Sequence, residues 1–487
     1  MSFISQYTPK WFPSNFFDIN NKELKIVVCI GGAILGAKLS LDYAKKISMS
    51  GNSNNPLVKT LHNILKPYLN CGLLVRNEFS VLLPWQFCVL SKKSYVIVNY
   101  GSYGTVPIKV QNYQTALLRQ TECCPDLFYR FTLIEKYEES RVVVANAVGC
   151  HPDNLVFVEN ITEGINVSLR SFLRNFTKSD SILCLRSIGY SAVLKAIDVL
   201  AKEYNVKVVN LEIQFPIHSK EDLCAQFEDA ILKHPRIKLA IFDHITSASS
   251  VVLPIHDLGI ICQKYNVISV VDGAHAPGQL YLDVENYNVD IYLGNLHKWY
   301  YTPKSCAIMY VKSKYHDQMQ PSWVSHHAYM NFHQRFWRQG TKNYTAMLTA
   351  GYSVGEYMKN IGGISHLHSY ITPLVEWAVQ LYIHEWGTEE IQVPPDMKAP
   401  YMRTVYLPNV FTEVYGGDSI AADALIKSLI KEERLVIFIN PVQGRLSTRV
   451  SAQIFSTRAE YTYAAEVIKR KALELTEKLA GQEVVNF

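Results

Sequence analysis

At 487 residues, 48% hydrophobic and 19% charged, the chain can bury a large core and reads as globular, with two domains rather than one. A formal charge of +5, spread over 48 basic and 43 acidic residues with no long basic block, argues against nucleic acid as a partner. Ten cysteines, among them the vicinal Cys123 and Cys124 but no CxxC, form neither a disulfide framework nor a zinc motif, and fit a reducing, cytoplasmic setting.

Residues 1–80 read as an unassigned extension. Within it, "KIVVCIGGAILGAKLSLDYAKK" carries an unbroken apolar run from Ile26 to Ala37. As a helix this run covers only about 18 Å against a hydrocarbon core of about 30 Å, and Lys38 and Asp42 stop a longer span, so membrane attachment is not expected. The run begins behind Lys22, Glu23 and Lys25 and lacks a small-residue cleavage site, which does not fit a signal peptide. "SMSGNSNNP", Ser48 to Pro56, reads as a turn-rich linker.

From about residue 130, short apolar runs alternate with amphipathic stretches. "NLVFV", "SILCL", "VKVVNL", "KLAIFD", "VISVVD", "DIYLG" and "CAIMYV" have strand length and are rich in β-branched residues. With helical patterns between most of them, they predict an α/β fold in which a mainly parallel sheet is covered on both faces. After Thr345 the pattern turns helical, then gives "YMRTVYLP", "LVIFIN" and "LSTRVSAQIF", which predict a smaller C-terminal α+β domain closed by the helix "AEYTYAAEVIKRKALELTEKLA".

In an open α/β sheet, ligands bind beyond the carboxyl ends of the strands. Asp272 ends the run Ile268 to Val271, and Lys298 follows the run Asp290 to Leu293, so both would project into that crevice. A carboxylate and a primary amine converging there suit pyridoxal phosphate, whose aldehyde takes a lysine as Schiff base and whose ring nitrogen takes an acid. One Asp and one Lys could equally be a loop cap and a surface residue. "VENITEGINVSLRSFLRNF" next places Thr162, Glu163 and Gly164 after another strand, opening a helix with Ile165, Leu169, Phe172, Leu173 and Phe176 on one face. Such a helix start is a phosphate site or, read plainly, a capped end with Asn160 as N-cap and Glu163 closing a capping box.

The series "VNYGSYGTVP", "ENITEGINV", "FDHITSASSVVLPI", "VVDGAHAPGQ", "NLHKWYYTPKSCAIMYV", "FWRQGT" and "TRVSAQIF", in this order, resembles the class V aminotransferase family of fold type I pyridoxal-phosphate enzymes. Within it the chain is most similar to the group of isopenicillin N epimerase and the hercynylcysteine sulfoxide lyases, from about Tyr95 to about Leu479. The resemblance implies a seven-stranded sheet in a large cofactor domain, residues 131–355. An N-terminal segment of the catalytic unit, 81–130, would precede it, and a small domain, 356–487, would follow. It implies Lys298 as the Schiff-base lysine, Asp272 as partner of the ring nitrogen and His275 as partner of the phenolic oxygen. Thr162, Glu163 and His297 would hold the phosphate, and Tyr190 would stack on the ring. Gly340 and Thr341 would reach the phosphate of a neighbouring subunit, which implies a homodimer. Arg449 would bind the substrate carboxylate, with Arg445 and Arg458 as alternatives, and Tyr100, where many relatives carry His, would line the substrate pocket.

The same loss of a Cα proton can lead to epimerisation, carbon-sulfur lysis or transamination. Because "HKWYYTPKSCAIMYV" looks more like the eukaryotic lyase-like members, lysis of a carbon-sulfur bond in a cysteine-derived amino acid is the favoured expectation. A non-catalytic binding relative is the alternative of another class, and it would have no need of Lys298, Asp272 and Arg449 together. His326, His327 and His333 lack the spacing that sets two ligands on one helical face, so no metal is expected. Cys306, close to the lysine, lies in an apolar run and is expected to be buried rather than a sulfur acceptor.

Overall fold

A computed structural model describes residues 95–485, with side chains to residue 480, all within the compact unit Gly72–Phe487. The apolar run Ile26 to Ala37 and the linker Ser48 to Pro56 lie outside the described residues. Strand β1 (Val96–Ile97) leads through a loop to helices α1 (Ile108–Cys123) and α2 (Leu133–Val148). The main sheet then takes β2 (Leu155–Val158), β3 (Ser181–Leu185), β4 (Lys207–Leu211) and β5 (Ile237–Asp243). It is completed by β6 (Ile268–Asp272), β7 (Ile291–Asn295) and β8 (Ala307–Val311). Between them come α3 (Ile161–Leu173), α4 (Ser191–Glu203), α5 (Lys220–Lys233), α6 (Ile255–Lys264) and the single turn α7 (Leu296–Trp299).

The seven strands take the order β2-β8-β7-β6-β5-β3-β4. All run parallel except β8, which is antiparallel to both neighbours. The reversal follows from the short connection after β7, which holds only α7 and a loop. A parallel return would need a crossover of about a dozen residues or more. Each expected apolar run thus forms one strand of the mainly parallel sheet. The central strands are buried on both faces, as a sheet sandwiched by helices requires. Ile241, Val270 and Leu293 pack with Ile165, Leu169 and Ile197 of α3 and α4, whereas their strand neighbours Phe242, Val271 and Tyr292 join the core that includes Phe227 and Leu258 of α5 and α6.

The C-terminal part has helices α8 (Gly363–Trp386), α9 (Ser419–Glu433) and α10 (Arg458–Val485) around a small antiparallel sheet. Its strands are β9 (Met402–Tyr406), β11 (Ile439–Val442) and β12 (Arg445–Ser451), in the order β11-β12-β9. The run "LVIFIN" divides, because β10 (Leu435–Val436) leaves this sheet to pair with β1 in parallel. The segment around residues 95–104 is therefore fastened to the C-terminal part of the chain. No helix among the described residues is long and apolar enough to cross a membrane.

Candidate active site

β5 and β6 end side by side, and their register pairs Asp243 with Asp272. Side chains alternate along a strand, so both carboxyls leave the sheet on the face of Ile241 and Val270. Asp272 is 2% exposed, and one of its oxygens accepts the Ala274 N–H at 2.9 Å. Two buried carboxyls this close do not both ionise. Burial, reinforced by the Asp272 charge, drives Asp243 well above the carboxylate range. Burial raises Asp272 as well, but the Ala274 N–H and the nearby Lys298 amine oppose it. The Ala274 N–H makes Asp272 the better placed of the two to carry a charge, and Asp243 is driven toward its protonated form. Sequence reading does not single out Asp243, since its relevance lies in its pairing with Asp272.

Lys298 sits in α7, directly after β7, with Nζ 3.0 Å from His275 Nε2. It is 9% exposed. Burial and the Arg449 charge push its amine down to about 7, against the opposite pull of Asp272 and Asp243. His275 is held neutral, first by burial and then by Lys298, Arg449 and His297. Its other nitrogen, Nδ1, is buried without a hydrogen-bond partner. Two glycines grip this turn. A Cβ at Gly104 (φ +62°) would lie 2.2 Å from His297 O and 2.6 Å from Lys298 O, and one at Gly278 (φ +83°) 2.6 Å from Trp299 O. Only glycine meets both the left-handed backbone and the close approach.

Arg449 enters from β12 and is fully buried. Nη1 donates to Ser247 O (2.8 Å), and Nη2 donates to Ser102 Oγ (2.9 Å) and Asn99 Oδ1 (3.2 Å). The guanidinium carbon lies 4.1 Å from the centroid of Phe438. Burial lowers the guanidinium to about 10. Because these partners are neutral, its charge is left for an anionic group of a ligand. Arg445, paired with Glu389 at 2.9 Å, and Arg458, over Trp377 at 4.9 Å, serve the periphery instead.

Other expected site residues are placed differently from one another. Tyr100 is buried with its ring edge-on to Phe455 at 5.0 Å, so it packs in the core, and Asn99 and Ser102 of the same loop are the ones that meet Arg449. Tyr190 is 46% exposed at the start of α4, with Tyr103, Asp272 and Arg449 within electrostatic reach of its hydroxyl. Glu163 closes the helix cap: its N–H goes to Asn160 Oδ1 (2.9 Å), and its carboxylate accepts the Glu159 N–H (2.6 Å). The amide expected for a phosphate is thus already engaged, which leaves those of Ile161 and Thr162 as the first-turn donors of α3. His297 Nδ1 donates to Cys306 O at 3.2 Å, and burial and Lys298 bring the ring down to about 4. Gly340 and Thr341 are exposed. Cys306 is fully buried, and burial pushes its thiol up to about 12.

These residues fit pyridoxal phosphate. A lysine amine, a buried acid on the neighbouring strand, a buried imidazole nitrogen without a partner and a helix N-terminus all converge on the carboxyl ends of the strands. Such a site on such a fold defines a pyridoxal-phosphate enzyme. The chain belongs to the aminotransferase class-V family, whose model matches residues 129–411.

Among its relatives is the hercynylcysteine sulfoxide lyase of Schizosaccharomyces pombe, 26% identical over 384 residues, which cover 77% of this chain and 94% of the relative. A probable chloroplastic L-cysteine desulfhydrase of Arabidopsis thaliana is 27% identical over 389 residues, 75% of this chain and 80% of the relative. In fold the chain is similar to a mutant of the enzyme C-DES with glycine covalently linked to its PLP cofactor. The TM-score is 0.66 at 16% identity, over 79% of this chain and 98% of that one.

Proposed function

We propose that this class V enzyme is a carbon-sulfur lyase acting on a cysteine-derived α-amino acid. The observation that carries the reading is the pairing of a buried lysine amine, lowered to about 7, with a buried arginine whose partners are neutral. The relatives named for sulfoxide lysis and cysteine desulfhydration support the choice of bond.

Lys298, Asp272, His275, His297 and the first turn of α3 at Thr162 would hold the cofactor, with Tyr190 over its ring. Pyridoxal phosphate, when bound, supplies an aldehyde and an electron sink for the charge developing at Cα. The chain supplies the rest. Asp272, buried and accepting the Ala274 N–H, would hold a positive charge at the ring nitrogen. Arg449 takes the α-carboxylate as the charged acceptor displaces neutral partners such as Ser102 and Asn99, and so fixes the direction of the Cα–H bond. The Lys298 amine, whose charge is disfavoured by burial and by Arg449, accepts the Cα proton. The electron pair freed at Cα forms a double bond to Cβ as the carbon-sulfur bond breaks and the sulfur group leaves with its electrons. Cys306, buried and protonated, is not the acceptor of that sulfur.

Gly340 and Thr341 extend the reading to a homodimer: exposed on their own chain, they would meet the phosphate of a neighbouring subunit. Residues 131–355 would form the cofactor domain, and 356–487 the substrate side. The test is a panel of S-substituted cysteines and their sulfoxides with pyruvate, ammonia and racemised substrate measured in parallel. Pyruvate and ammonia in equal amounts are expected, and racemised substrate without pyruvate would replace lysis by epimerisation.

A further inference from the structure

Two buried glutamines repeat one arrangement around the Lys298–His275 pair. Gln279 Nε2 donates to His275 O at 2.9 Å, and its Oε1 accepts the N–H of Tyr401, which leads into β9. Gln453 Nε2 donates to Lys298 O at 3.1 Å, and its Oε1 accepts Tyr301 Oη–H at 2.8 Å. Backbone carbonyls only accept and backbone N–H groups only donate, so the orientation of both amides is fixed by chemistry. Both glutamines are fully buried. Tyr301 holds its place at φ +59°, a backbone region that a bulky residue occupies only when its surroundings enforce it.

The strand carrying Arg449 continues the pattern. Two residues on, Ser451 Oγ accepts the N–H groups of Tyr100 (3.0 Å) and Gly101 (3.1 Å), in the loop whose Asn99 and Ser102 hold Arg449. Two residues further comes Gln453. One edge of the C-terminal part thus presents Arg449 to the substrate, Ser451 to the loop and Gln453 to the lysine turn.

We propose that Gln279 and Gln453 are matched positioning residues, which fasten the backbones of His275 and Lys298 to the strands β9 and β12 and so fix the spacing between the lysine amine and the carboxylate clamp Arg449. The inference rests on the functional reading above for its catalytic consequence, and on hydrogen-bond geometry alone for the fastening. Loss of a strap frees the lysine turn while Arg449 keeps its own partners. Turnover should then fall and substrate affinity should not.

The test uses Gln279→Met and Gln453→Met, which keep side-chain length but remove both hydrogen bonds. Tyr301→Phe, which deletes one oxygen, keeps the test alive if a Met variant fails to fold. In the cofactor-loaded enzyme each variant should lower kcat roughly tenfold to a hundredfold with KM within about threefold. In the cofactor-free protein, the rate of amine labelling at Lys298 is followed against pH by peptide mass spectrometry. The parent midpoint is expected near 7. In the variants it should rise toward the ordinary lysine value of 10.5 as the amine leaves His275 and meets water. Unchanged midpoints together with unchanged kcat in all folded variants, or a loss confined to thermal stability, would overturn the proposal. If the parent shows no lyase activity but the midpoints shift, the fastening stands and the functional reading is what fails.

Discussion

The two sides of the site are built in opposite ways. On the sheet side, Asp243, Asp272, His275 and Lys298 come from adjacent strand ends within one continuous stretch of chain, and they act on one another through burial and charge. On the clamp side, Arg449 is held by neutral groups from residues 99, 102 and 247, gathered from distant parts of the sequence. On the proposed reading, chemistry is local in the chain and recognition is assembled across it. The comparison teaches that damage to the sheet side should appear in kcat and damage to the clamp side in KM.

Lys298→Ala attacks the sheet side hardest. Turnover should fall by about a hundredfold to ten-thousandfold and the absorbance of lysine-bound cofactor should vanish, with circular dichroism unchanged. Normal turnover would remove Lys298 from the mechanism. Asp272→Asn should retain cofactor but lose roughly a hundredfold in kcat, close to 3 kcal/mol, in steady-state assays at saturating substrate. On the other side, Arg449→Lys keeps charge and loses the planar fork, so kcat/KM should drop about tenfold to a hundredfold, mainly through KM. A decarboxylated substrate analogue should then react equally poorly with parent and variant. If the parent handles it as well as the amino acid, the clamp is wrong.

The smallest expected effect separates the two acids. Asp272→Asn removes an anion that favours charged lysine, so the Lys298 labelling midpoint of the cofactor-free protein should move below about 7. Asp243 is driven toward its protonated form, so Asp243→Asn should move that midpoint and kcat less. Equal shifts in both variants would mean the proton is shared evenly. Because folded Lys298 holds its proton less tightly than an unfolded lysine, the cofactor-free protein should gain stability as pH rises from about 7 toward 10.5. In Lys298→Met, melting temperature against pH should be flatter over that window.

The main sheet was legible because each of its strands is a short apolar run set off by helical patterns, and Asp272 and Lys298 were legible because strand ends point at a shared crevice. The resemblance pointed to Arg449, and the structure buries it in β12 among neutral partners. What stayed hidden depends on pairing. "KLAIFD" shows an acid at a strand end, but only the register of β5 against β6 sets Asp243 beside Asp272. In "NYGSYGT" the turn at Gly104 decides which residues face Arg449, so Tyr100 turns inward while Asn99 and Ser102 reach the guanidinium. Gln279 and Gln453 stand in the quoted motifs, yet their partners include backbone groups, which leave no trace in side-chain identity.

The fastening of the 95–104 segment to the C-terminal strands also sets an order of events during synthesis. Tyr100 N–H and its acceptor Ser451 Oγ are 351 residues apart, and β1 pairs with the distant β10. Contacts of such separation close late, after the entropy of a long loop has been overcome. Asp272 and Lys298 are brought together by the pairing of neighbouring strands, at far shorter separation along the chain. Arg449, its loop and the Gly104 grip on the lysine turn must wait for the last part of the polypeptide, so a truncated or stalled product would have the lysine but no clamp, and no means of holding a substrate against it.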